Sequence, residues 1–186
     1  LGSGLGGLAD AVEAAVTIPF GDIPGFPVAA APGHAGRLVV GRLFGRRAAL
    51  MQGRVHLYEG WTARDVALPV RLLGGLGARD LVVTNAAGAL DPALKPGSVM
   101  LIEDHLNFTG ANPLTGPDEP GLGTGLRFPD MSRAYDPDLR AWSVDAAKQA
   151  LKKQEQRSLL LQDHRSRKLY WNWAVVIRLL LCLLRI

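Results

Sequence analysis

The chain has little cysteine: Cys182 is the only one among its 186 residues. That excludes an internal disulfide framework and any metal site built from several cysteines, and it suits a reducing, cytoplasmic setting. There is no basic-then-apolar leader, and Leu1 stands where an initiator methionine would. The expectation is a chain with no signal peptide that starts inside a longer reading frame. Glycine and proline are missing from the end: all 22 glycines lie at or before Gly125, and all 12 prolines at or before Pro137. The closing stretch therefore lacks the residues that punctuate tight turns, and it reads as helix or as sequence not selected for the same fold. A long uninterrupted apolar run is missing too. Residues 169–186 are apolar but broken by Asn172, Arg178 and Arg185. A span needs about 20 apolar residues, and a central arginine costs roughly 2.5–3.5 kcal/mol. A buried or amphipathic helix, or a non-native tail, is favoured over a membrane span.

Charge is unevenly shared. Residues 1–145 hold 12 Lys+Arg against 15 Asp+Glu, a net of −3, whereas residues 146–186 hold 9 against 2, a net of +7. A basic tail can serve nucleic acid or a membrane surface. Trp171 and Trp173 do not combine with it into a patterned basic and aromatic surface, so no nucleic-acid partner is expected and a membrane partner is not favoured.

What is present is densely punctuated. Residues 8–16 read as a short helix after a Gly-rich turn, residues 28–31, 38–43 and 47–52 as strands, and residues 62–75 as a helix with Thr62 at its N-cap. Asp80-Leu81-Val82-Val83-Thr84 has the continuous apolar pattern of a strand buried on both faces, and residues 99–103 are similar. Residues 110–130 form a long Gly- and Pro-rich loop, uncommon without a function. Residues 138–153 read as helical. The alternation predicts an α/β fold with a central mixed sheet flanked by helices, and a C-terminal segment that is helical or disordered.

Four motifs bear on chemistry. Gly2-Ser3-Gly4-Leu5-Gly6-Gly7 fits the dinucleotide pattern G-x-G-x-x-G, which alone is weak. Asp22, the tempting ribose acid, sits in a turn-rich stretch and not at a strand end. A flexible turn is the plain alternative. A glycine loop whose backbone N–H groups hold an anion, with Ser3 adding a hydroxyl, suits the residues better. In Pro32-Gly33-His34-Ala35-Gly36-Arg37, glycines flank a histidine and permit close approach of a ligand; a local loop feature is the alternative. In Met51-Gln52-Gly53-Arg54-Val55-His56-Leu57-Tyr58-Glu59-Gly60, an extended backbone would aim Arg54, His56 and Tyr58 to one side. Such a row suits an oxyanion and a hydroxylated ligand, against a plain solvated strand face. Val82-Val83-Thr84-Asn85-Ala86-Ala87-Gly88-Ala89-Leu90 ends an apolar strand in small residues, where ligands gather in open α/β sheets; a tight strand-to-loop turn is the alternative.

Together these motifs resemble those of the trimeric purine nucleoside phosphorylases. The likeness continues through Ile23-Pro24-Gly25-Phe26-Pro27, Asp104-His105-Leu106-Asn107, Asn112-Pro113-Leu114-Thr115-Gly116-Pro117 and Arg127-Phe128-Pro129-Asp130-Met131-Ser132-Arg133-Ala134-Tyr135-Asp136. It covers residues 1–142, a partial phosphorylase domain, and leaves residues 143–186 as a basic, then apolar tail outside the family. The resemblance implies phosphorolysis of purine nucleosides to free base and pentose 1-phosphate, with no metal or organic cofactor and with inorganic phosphate as co-substrate. It implies that Ser3, Arg54, His56 and the Ala86 N–H hold phosphate, with His56 and His34 as the candidate catalytic histidines. Tyr58, Asn85, Ala87 and Gly88 would line the ribose and base. Phe128 would reach a neighbouring subunit's ribose pocket in a homotrimer. Relatives that cleave methylthioadenosine usually carry threonine where Ser3 stands, so the nucleoside phosphorylase branch is preferred. The family's Gly-Pro-Ser-x-Glu-Thr and Gly-Met-Ser-Thr runs, its later asparagine segment and its final histidine have no counterpart after Trp142. The expectation is a chain with phosphate and ribose determinants, impaired because base-binding residues are missing. The alternative is a non-catalytic fragment that binds phosphate or joins intact subunits.

Overall fold

In a computed structural model of the chain, the described residues are 1–2, 4–28, 35–94, 98–117, 128–162 and 179–185, with side chains described as far as Lys152. Three antiparallel strands form the first sheet in the order β1 (Glu13–Pro19), β2 (Arg37–Leu43), β3 (Arg46–Gln52). β2 and β3 are a hairpin closed by Phe44 and Gly45, both at positive φ, the backbone a two-residue primed turn requires.

The helix expected over residues 8–16 is not there. A 3-10 helix takes Gly6–Ala11, and the chain then enters β1. The local run is rich in alanine, but Val16, Thr17 and Ile18 pair with Val40, Val39 and Leu38, and β-branched residues gain more from such pairing than from a helical turn.

The hairpin divides the core by pleat. Leu38 and Met51 are cross-strand partners, and both join Phe20, Phe26 and Leu73 on one face. Val39 and Leu50 are the next partners, and they pack with Ala9 and Val12 on the other. This is the period-two alternation of strands, with both faces covered. The Phe20 and Phe26 rings sit 4.8 Å apart at 45°, a tilted pair of the favoured kind.

Helix α1 (Ala63–Gly75) begins at Thr62 as expected, in a full capping box with Asp65. Its Leu73 closes the core against β2. Next comes β4 (Asp80–Asn85), the expected strand. Its two faces differ from the expectation: Leu81 packs on the Leu38 and Leu73 cluster, while Val82 is 55% exposed, so α1 covers one face only. β5 is short, Val99–Leu101. Helix α2 spans Pro137–Gln162 and crosses residue 142 without a break. Asp136 caps it by accepting from the N–H groups of Asp138 and Leu139 at 3.0 and 2.9 Å, with proline at the first helical position.

A second sheet has the order β4-β6-β5, with β6 at Leu179–Arg185. β6 runs antiparallel to β4 and parallel to β5, so this sheet is mixed. The C-terminal segment expected to be helical or disordered is helical as far as Gln162, and its last described residues, Leu179–Arg185, pair as a strand, since an apolar run without turn residues suits a central strand as well as a helix. The strand expected over residues 28–31 falls largely outside the described residues, as do residues 118–127 of the loop at 110–130. Among the described residues no helix is long and apolar enough to cross a membrane.

Candidate active site

The two sheets meet at one corner, built from the end of β3, the end of β4 and the first residues of the chain. The Leu1 amino group donates to the Met51 carbonyl at 2.7 Å, and the Gly2 N–H donates to Thr84 Oγ1 at 2.8 Å. A Cβ on Gly2 would come within 2.6 Å of the Thr84 carbonyl oxygen, so only glycine permits this approach.

Just past β3, Gly53 takes a positive φ of 101, and the chain is extended again at His56. Val55 is buried to 2% exposure, while Arg54 and His56 on either side are half-buried. The alternation puts the cation and the imidazole on one side, as expected. Arg54 Nη1 donates to the Thr84 carbonyl at 2.8 Å. Burial lowers the Arg54 pKa from its ordinary value, opposed by the nearby Tyr58. The guanidinium remains charged. Poorly hydrated, it favours an anion that can meet its planar fork.

The expected row does not continue to Tyr58. The chain instead turns through a 3-10 helix, Leu57–Glu59, and ends it at Gly60 with φ 92. The turn sends Tyr58 back over His56, the rings stacked 4.7 Å apart at 17°. It also brings the Glu59 carboxylate to His56 Nδ1 at 2.7 Å, with the Glu59 side chain only 8% exposed. That hydrogen bond fixes the ring's orientation. Tyr58 itself is 77% exposed, with its phenol toward solvent and its ring on the site.

Asn85 closes β4 and donates from its amide to the Ala86 carbonyl at 3.2 Å. Ala86, Ala87 and Gly88 follow without regular structure. The structure thus brings Arg54, His56 and Tyr58 together and sets Arg54 against the strand end that leads into Asn85 and Ala86. Phe128 stands apart at the edge of the long loop, 89% exposed. Ser3 and His34 lie outside the described residues.

Three residues of this corner carried no expected role. Thr84 takes both the Arg54 and the Gly2 bonds and is 5% exposed; a threonine ending an apolar strand was the available signal. Glu59 follows His56 by three residues, the reach of one tight turn. Gln52, 6% exposed, accepts from Arg37 Nε and donates to the Gly6 carbonyl at 2.6 Å. It ties the glycine loop to the hairpin, and nothing in the sequence signals that partner.

A guanidinium, an imidazole oriented by Glu59, a phenol and the small residues after a strand end thus stand at one corner. A sequence model of the phosphorylase superfamily matches residues 1–158. Purine nucleoside phosphorylase 1 of Geobacillus stearothermophilus is 52% identical over 147 residues, covering 79% of this chain and 53% of that protein. Among solved structures, a Schistosoma mansoni purine nucleoside phosphorylase in complex with adenosine aligns with TM-score 0.71 and 47% identity, over 80% of this chain and 52% of that one. A purine nucleoside phosphorylase in complex with ribose 1-phosphate aligns with TM-score 0.69 and 44% identity, over 80% and 55%. The chain spans about half the length of the relatives it matches. Residues 1–158 carry the superfamily's sequence, and the chain belongs to the phosphorylase superfamily.

Proposed function

We propose that this chain carries the phosphate and ribose half of a purine nucleoside phosphorylase site. The reaction is phosphorolysis: purine nucleoside and phosphate give free base and pentose 1-phosphate, in purine salvage in the cytoplasm. The observation that carries the reading is the corner at which Arg54 and His56, presented on one side of an extended segment, meet the end of β4 at Thr84. The chain's likeness to proteins solved with adenosine and with ribose 1-phosphate supports it.

In this reading Ser3, Arg54, His56 and the Ala86 N–H hold phosphate, and His34 stands near the phosphate and the sugar. Tyr58, Asn85, Ala87 and Gly88 line the ribose and base, and Phe128 serves a neighbouring subunit of a homotrimer. Glycosidic cleavage builds positive charge on the sugar, and a bound phosphate beside it stabilises that charge. Arg54 and His56 supply binding and orientation, so no metal or organic cofactor is required. The phosphorylase part takes residues 1–158 of the family match, past the boundary expected at residue 142, and the tail begins beyond it. The base-binding glutamate and asparagine of the family have no counterpart here, so the leaving purine lacks its donors and the polypeptide by itself turns over inosine poorly.

A chimera tests this. Residues 1–142 replace the matching segment of the Geobacillus stearothermophilus relative, and inosine phosphorolysis is measured. The expected result is turnover within about tenfold of that relative, lost on Arg54→Gln by about 100-fold, the scale of a charge-assisted phosphate contact. A well-folded but inactive chimera contradicts the reading.

A further inference from the structure

We infer that the tail strand β6 is the element that builds the mixed sheet and, through it, holds the Thr84 arm of the phosphate corner in place. Among the described strands, β4 and β5 do not pair with each other; each pairs only with β6. Six residues of β4 are in register with the tail, from Asp80 opposite Arg185 to Asn85 opposite Leu180. Three of β5 are in register on its other side, from Val99 opposite Leu179 to Leu101 opposite Leu181. Leu180 and Leu181 therefore have partners on both edges, the position of a central strand. Its sequence, Leu-Leu-Leu-Cys-Leu-Leu-Arg, is the near-continuous apolar run common in strands paired on both edges.

The position matters because Thr84 faces two ways along the sheet. Leu181 is its partner across the ladder, while its carbonyl and hydroxyl take the bonds from Arg54 and Gly2. Without β6, β4 would present a bare edge and β5 would be a three-residue strand without a partner. Unpaired edges exchange, fray and aggregate, and an isolated short strand is not stable. The ladder to β6 thus fixes where the Thr84 carbonyl stands, and Arg54 is oriented by that carbonyl. The functional half of this inference rests on the phosphate reading above; the structural half does not.

Cys182 is the chain's one cysteine and the direct partner of Val83, which gives a clean test in the full chain. Directly opposed residues share a face with Cα atoms close enough for a disulfide, whereas Val82 lies on the opposite face. Val83→Cys should form an intrachain disulfide under mild oxidation, read by mass, and Val82→Cys should not. Failure of Val83→Cys to bridge, or equal bridging by both, overturns the proposal. Hydrogen exchange in the full chain supplies the second readout. Cys182→Pro removes a backbone donor from a central strand and should speed exchange of residues 80–85 by about tenfold or more while β2 and β3 stay protected; Cys182→Ala should behave as the unaltered chain. Unchanged exchange at 80–85, or an equal loss across all strands, overturns it. A failed phosphate reading would show separately, as no binding of inorganic phosphate by the unaltered chain.

Discussion

At the scale of single residues, each group proposed to hold phosphate from β3's extension has a partner that orients it. Arg54 is set by the Thr84 carbonyl and His56 by Glu59. Glu59→Ala removes the imidazole's partner and is expected to weaken phosphate binding by about tenfold, since hydrogen bonds to charged groups are worth roughly 1.5–3 kcal/mol. Glu59→Gln keeps an acceptor at the same reach and should restore most of the affinity. Titration calorimetry of both variants with inorganic phosphate checks this.

Elements were legible where local pattern and tertiary need agreed. β2, β3 and α1 lie within a residue or two of their expected places, because alternation, the primed turn and the Thr62 cap all point the same way. Thr62→Ala opens the capping box and should cost about 1 kcal/mol, seen as a lower urea midpoint with no change in phosphate affinity. β1 and β6 were not legible. Val16-Thr17-Ile18 became a strand through partners 20 to 24 residues away, and Leu179–Arg185 through partners 80 to 105 residues away. Local propensity carries no record of such partners. The turn after His56 was also missed: an extended reading predicted a row through Tyr58, but the break at Leu57 folds the tyrosine back on the imidazole. The residues of the candidate site were readable as a set; the way Glu59, Thr84 and Gln52 hold them was not, because each acts through a contact the chain makes only when folded.

At the scale of the whole molecule, the hairpin sheet is the well-packed body, with two core clusters on its two faces. The mixed sheet is thinner, covered by α1 on one side while Val82 stays 55% exposed. The corner lies where the two are joined by Leu1, Gly2 and Arg54, so phosphate binding reports on the assembly of both. Isothermal titration of the chain with inorganic phosphate therefore tests the central claim most directly. The account predicts one phosphate per chain, with affinity reduced at least about tenfold by Arg54→Gln and by His56→Ala alike. Absence of binding by a folded chain, or binding that neither substitution weakens, would contradict it.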